Sequence, residues 1–230
     1  MNKKDWLIDY KELDSKVSKL FNLVLGKLPS TSADKIDIII IGLLKRIVNN
    51  YNAVNLLFEN GMYLESLMII RSIIEATFIF NGFMEKPAET YDKLLLLSHN
   101  NKKELHKKAL RYENMKEKVE KYNFDELEAK YISIKKFSNM SSKNYSLYNI
   151  AYKMISDDVH INLFSIEKLI VLRGDNTFDI KENLDEKDID EAYFTFIYCV
   201  YMIGSGLNKN YLMELDDEFK EIEKLLEKIN

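Results

Sequence analysis

Apolar residues recur along most of this chain at intervals of three and four, the spacing that lines one face of an α-helix. Trp6, Tyr10, Leu13, Val17, Leu20 and Val24 make the first such stripe and predict a helix over about Lys4 to Leu28. Pro29-Ser30-Thr31-Ser32 ends it. Thr31 or Ser32 can cap the next helix, with Asp34 complementing its dipole. Ile36, Ile40, Leu44, Ile47, Tyr51, Val54 and Phe58 mark that second helix. It should stop at Glu59-Asn60-Gly61, with Gly61 in the left-handed conformation that closes many helices. The third stretch, Met62 to Met84, is apolar nearly all round, so it should be central and covered on most sides.

A fourth helix should follow Pro87 with Tyr91, Leu94, Leu95 and Leu97, continuing as a charged helical region to about Lys136. "SNMSSKNYS" (Ser138–Ser146) is polar and rich in side chains that compete for backbone hydrogen bonds, so a loop is expected there. Tyr148 to Leu172 reads as helix, with a break at Ser156-Asp157-Asp158. "RGDNTFDIKENLD" (Arg173–Asp185) reads as a second loop, and Glu186–Lys209 and Tyr211–Ile229 as two closing helices. The expectation is an all-α fold, a single helical bundle of about seven to nine helices spanning residues 1–230.

Composition strengthens that picture. Only 7 Gly and 2 Pro occur in 230 residues, so breakers are scarce. The lone Cys199 can form neither an internal disulfide nor a thiolate metal cage, which fits a reduced, cytoplasmic setting. The opening "MNKKDWLIDYKELDSK" has basic residues but no apolar core of a signal peptide. Leu67–Phe83 is greasy but interrupted by Arg71 and Glu75, and the uncharged run Ala192–Leu207 is shorter than the roughly 20 residues of a membrane span. Both are expected to be core helices, with no membrane partner. The formal charge of −4 leaves no global footprint for nucleic acid. Its distribution is uneven: Asn101–Lys121 holds eight Lys/Arg against four Glu, and Lys181–Asn230 holds thirteen Asp/Glu against six Lys. Such a split can pair two copies as a homodimer, although charge runs on helices are mostly solvated faces.

Two places could carry chemistry. Arg71 and Glu75 are four residues apart and share a face of the third helix with Leu64, Leu67, Met68 and Phe78, so both charges are expected to point into protein. Buried charges cost several kcal/mol each unless paired and hydrogen-bonded, which means either a structural ion pair or a site. The second place is "ISDDVHINLFSI" (Ile155–Ile166), where Asp157 and His160 share a helical face. Ser156 or Asp157 could simply cap a helix beginning there. Alternatively, the carboxylate orients an imidazole that titrates near neutrality, as proton transfer requires.

The two segments together resemble a bacterial all-helical family known as domain of unknown function 5677. The matching residues are Arg71, Ser72, Glu75 and Ala76, then Tyr152, Ser156, Val159 and His160, within about Ile36 to Leu172. Members often carry a tryptophan-containing stretch before the histidine motif; this chain has only Trp6 and departs there. The resemblance implies no particular reaction, only a polar Arg/Glu/His constellation in a helical body, with the C-terminal helices 186–229 packed on a core.

The leading expectation is a phage-defence or toxin-like protein acting on RNA or a nucleotide without cofactor or metal. Arg71, Glu75, His160 and Asp157 would be its catalytic residues. In such chemistry an imidazole moves the 2′-hydroxyl proton and a guanidinium stabilises the phosphorane charge. HEPN-type ribonucleases work in this way, but their R-x(4–6)-H signature is absent, since His106 precedes Arg111. A di-iron site would need a Glu-x-x-His from each of two helices, and the chain offers only Asp157-x-x-His160. The alternative is a non-catalytic interaction or regulatory module whose polar cluster fixes helix register.

Overall fold

A helix that is apolar nearly all round must be covered on most sides, and the fold does this for Tyr63–Glu85. The computed structural model describes residues 3–27, 35–109, 133–159, 169–173, 177–180, 186–211 and 213–229. Among them are eight helices: α1 (Lys3–Gly26), α2 (Lys35–Glu59), α3 (Tyr63–Glu85), α4 (Pro87–Ala109), α5 (Ile134–Ser138), α6, α7 (Glu186–Tyr211) and α8 (Asp216–Ile229). Helix α6 has three parts: Asn144–Ser146, the π-helical Leu147–Tyr152, and Lys153–Val159. Backbone angles stay helical at Ser146, Leu147 and Lys153, so the three parts form one rod. Helix α3 packs against α2, α4, α5, α6 and α7, and twelve of its residues are buried. Its length and hydropathy would suffice for a membrane span, but here most of its apolar surface is packed inside protein.

The stripes of the first two helices land in this core, whereas on α4 Tyr91, Leu94 and Leu97 are only partly buried and Leu95 is exposed. Leu13, Val17, Leu20 and Val24 of α1 are buried, as are Ile40, Leu44, Ile47, Tyr51 and Val54 of α2. Helix α1 lies against α7 and α8, and on α8 the buried positions Phe219, Ile222 and Leu226 keep the helical period. Helix α2 closes on Gly61 at φ +71°. Met62 N–H donates to Leu57 O at 2.9 Å and Gly61 N–H to Phe58 O at 3.1 Å, the two bonds of a Schellman cap.

Three local expectations need correction. The polar stretch Ser138–Ser146 is not all loop: α6 begins at Asn144, whose side chain is fully buried. Tyr148–Leu172 is not one helix, because Ile170–Leu172 forms a strand paired antiparallel with Phe178–Ile180, Val171 opposite Asp179. Arg173 ties this hairpin by donating from Nε to Asp179 Oδ2 at 2.7 Å. The expected break and cap at Ser156 and Asp157 are absent too, since both lie inside α6. There the packing of the buried Ile155 outweighs the capping preference of its neighbours.

The reversal between α3 and α4 is one residue long, Lys86, with its N–H bonded to Gly82 O at 2.7 Å. So tight a turn presses α4 onto Gly82, where an added Cβ would sit 2.8 Å from Thr90 Oγ1 and 3.2 Å from Met140 Cβ. Gly42, by contrast, has nothing within 4 Å and is exposed in mid-helix. Gly82→Ala should therefore destabilise by about 1–3 kcal/mol through overpacking, whereas Gly42→Ala should stabilise by roughly 0.5–1 kcal/mol through lost backbone entropy. Urea unfolding of the two variants checks this, and equal midpoints would contradict the close approach.

Candidate functional site

A ladder of contacts fixes how α6 lies on α3. Ser141 Oγ donates to Glu85 Oε1 at 2.6 Å, and Asn81 Nδ2 donates to Asn144 Oδ1 at 2.8 Å. The Tyr148 ring then packs on Phe78 at 6.0 Å, and Tyr152 follows at 5.8 Å from the same ring. As the number rises on α6 it falls on α3, so the two helices run antiparallel. The next rung is polar. Arg71 Nη2 donates to the Tyr152 hydroxyl at 3.1 Å, and that hydroxyl donates to Glu75 Oε1 at 2.9 Å. Arg71 Nε and Glu75 Oε1 stand 3.4 Å apart, and the guanidinium carbon lies 5.3 Å from the centre of the Tyr152 ring.

Tyr152 thus joins the two charged residues into a closed triangle, and it is the last residue of the π-helical turn. Such turns are rare and often occur where function needs a displaced side chain. Here the wide turn stacks Tyr148 on Tyr152, with ring centres 5.5 Å apart and planes at 15°. Burial, reinforced by the Glu75 carboxylate and partly offset by Arg71, pushes the Tyr152 phenol above its ordinary value. It therefore stays a neutral donor across the physiological range.

The charges do not point into sealed protein as expected. Side-chain exposure is 24% for Arg71 and 35% for Glu75, and Met68 on the same helix is exposed. Glu65, Met68, Ser72, Glu75 and Ile79 form a partly exposed stripe along α3. Arg46 and Asn50 of α2 reach Ser72 on one side of it, and Tyr152 of α6 reaches Glu75 on the other. The triangle therefore sits in a cleft floored by α3 and walled by α2 and α6.

Of the remaining site residues predicted from sequence, Asp157 is exposed on α6, five residues beyond Tyr152 and well round the helix from it. His160 lies outside the described residues. Ser156, one turn beyond Tyr152, has a buried Oγ with no hydrogen-bond partner among the described residues. The residue that sequence reasoning missed is Tyr152: it stood in the motif, four positions before Ser156, but only the antiparallel packing reveals it as the bridge.

A second polar cluster was also not foreseen. Tyr51 on α2 donates to the Asp14 carboxylate, Asn55 Nδ2 donates to Asp14 Oδ1 at 3.4 Å, and Tyr193 donates to Asn55 Oδ1 at 3.4 Å. It ties α1, α2 and α7 together. A surface concavity of about 650 Å³ opens beside it, lined by Asp14, Ser15, Ser18 and Lys19 among others, and touches no member of the triangle. Among the described residues no group of three or more His, Cys, Asp or Glu side chains is placed to hold a metal ion.

A model of a family of unknown function, DUF5677, matches residues 37–178. The chain belongs to that family. The DUF5677 match takes in both walls and the floor of the cleft, with Arg46, Arg71, Ser72, Glu75, Tyr152 and Asp157, and leaves out α1, α7 and α8. No curated protein and no solved structure matches the chain.

Tyr152→Phe keeps the ring contacts and removes only the bridging hydroxyl. It should cost about 1–2 kcal/mol, the worth of a hydrogen bond to charged groups at a half-open site. The urea midpoint reads this; no change would mean the bridge holds nothing together. A pH series gives a further check. Burial raises the phenols of Tyr152, Tyr51 and Tyr193 and pushes the buried Cys199 thiol up to about 12. In the unfolded chain these groups ionise from about 8.5 for Cys and 10 for Tyr, while the folded chain keeps its protons. Stability should be level up to about pH 8.5, fall above it and fall faster beyond about pH 10. A midpoint constant to pH 11 would contradict this.

Proposed function

We propose that this protein acts on RNA or a nucleotide in the cleft between α2, α3 and α6, in a toxin-like or phage-defence setting in the cytoplasm. Arg71 is the group that meets a phosphoryl oxygen, Glu75 and Tyr152 hold it in place, and His160 carries the proton, oriented by Asp157. The observation that supports this most is the half-open triangle. A guanidinium fixed by a carboxylate and a phenol at a cleft edge is an oriented cation, and orientation is what makes a donor effective on charge that develops during phosphoryl transfer. A purely structural ion pair gains nothing from facing solvent, where it contributes little.

A second reading has its own support. Arg71, Glu75 and Tyr152 already bond to one another, so the same bonds could serve only to lock α6 onto α3 in an interaction module. The two readings part in one experiment. Cleavage of a fluorescent single-stranded RNA is followed for the wild type, Arg71→Lys and His160→Ala, with unfolding midpoints recorded alongside. The catalytic reading expects each substitution to slow cleavage by about 10²-fold or more, with midpoints shifted by less than about 4 °C. A wild-type protein that neither cleaves nor binds RNA or nucleotides, with an Arg71 variant that only loses stability, would leave the locking role alone.

A further inference from the structure

On α3, the residue after Arg71 has polar neighbours of its own. Arg46 Nη2 donates to Ser72 Oγ at 3.2 Å, and Asn50 Nδ2 approaches the same oxygen at 3.4 Å. We infer that Arg46, Asn50 and Ser72 form a phosphate-binding subsite, resting on the reading that the cleft takes a phosphate ester. The cluster would hold that ester beside Arg71.

The argument is one of donors. Ser72 Oγ accepts from two groups, and among the described residues its own proton is donated to none. The guanidinium of Arg46 makes no other hydrogen bond or ion pair among the described residues, and Arg46 is exposed while Ser72 and Asn50 are half-buried. Three groups therefore converge on one point with N–H and O–H bonds to spare, and among the described residues no carboxylate touches any of them. Such a surface is complementary to a compact anion with several acceptor oxygens, and a planar guanidinium can grip two of them at once.

The neighbouring charges do not undo this. Glu75, three residues on, is engaged by Arg71 and by the Tyr152 hydroxyl. Glu65 stands two helical turns away, about 10 Å along the axis. Ser72 and Arg71 are consecutive on α3 with side chains about 100° apart, so a phosphate on Ser72 lies on the α2 side of the stripe, next to the triangle. Binding through phosphate alone reads no base. The subsite therefore fits the 5′-phosphate of a mononucleotide and the backbone of a single strand by the same chemistry.

The test uses the full chain with four probes: inorganic phosphate, adenosine, AMP and a single-stranded RNA ten-mer. Binding is measured by calorimetry or anisotropy at several salt concentrations. Arg46→Gln should weaken AMP and RNA at least tenfold and lower the salt slope for RNA by about one, with an unchanged unfolding midpoint. Lys45→Gln, the same charge change one residue away on an exposed position, should leave both as in the wild type. Adenosine, lacking phosphate, should not bind. AMP and phosphate bound through Arg46 without any RNA binding would keep the subsite, point to a mononucleotide ligand and discard the RNA reading. RNA binding that depends on Arg71 yet is untouched by Arg46→Gln would overturn the subsite and leave the functional reading standing. Equal losses in the Arg46 and Lys45 variants, or no binding of phosphate, AMP or RNA by the wild type, would also overturn it.

Discussion

Burying the Asn144 side chain is the constraint from which the arrangement of this cleft follows. An amide with no exposure must find partners for its polar atoms or cost several kcal/mol. Asn144 finds them on two elements at once: Asn81 donates to its oxygen, and its own nitrogen faces Phe78 O and Phe137 O at 3.4 Å each. Only one register of α6 on α3 satisfies all of these. Once that register is set, the rungs above and below follow, and Tyr152 is delivered to the space between Arg71 and Glu75.

The same seam changes character along its length. Around Asn144 it is sealed and fully bonded, with Phe78, Phe80 and Phe137 buried nearby. Toward Tyr152 it opens, and the charged residues sit where water still reaches them. That gradient resolves the cost of placing an Arg–Glu pair on the most apolar helix of the chain. Complete burial would demand a large desolvation penalty, and complete exposure would leave the side chains free to wander. A tyrosine hydroxyl between them, itself kept protonated by its surroundings, holds both without adding another charge.

Much of the architecture was legible in the pattern of apolar positions, because long helices repeat their signal many times. The Glu59-Asn60-Gly61 stop was legible for a different reason: the left-handed residue of a Schellman cap suits glycine. Short elements failed. Ile170 and Val171 are β-branched and the strand Ile170–Leu172 pairs with Phe178–Ile180, yet three residues of strand are too few to outvote a preceding helical period. Ser156 and Asp157 carried a capping signal that the continuing helix overrode. Arg71 and Glu75 stood out as charges in an apolar run, but their link to Tyr152 is a long-range contact, and local spacing holds no trace of it. The subsite around Ser72 was hidden likewise, since Arg46 belongs to another helix.

The π-helical segment has a consequence for how this rod could vary. A π-turn accommodates one residue more than an α-turn, so a single deletion between Leu147 and Tyr152 would regularise the helix rather than break it. The portion holding Asn144 would keep its seat, and the side chains beyond the deletion would keep their faces, because the residue lost is the one that the wide turn accommodates. Ser156 would stay one turn beyond the bridging phenol, on the same face. The wide turn thus lets the rod gain or lose one residue between its anchored half and the half that shapes the cleft while both keep their seats.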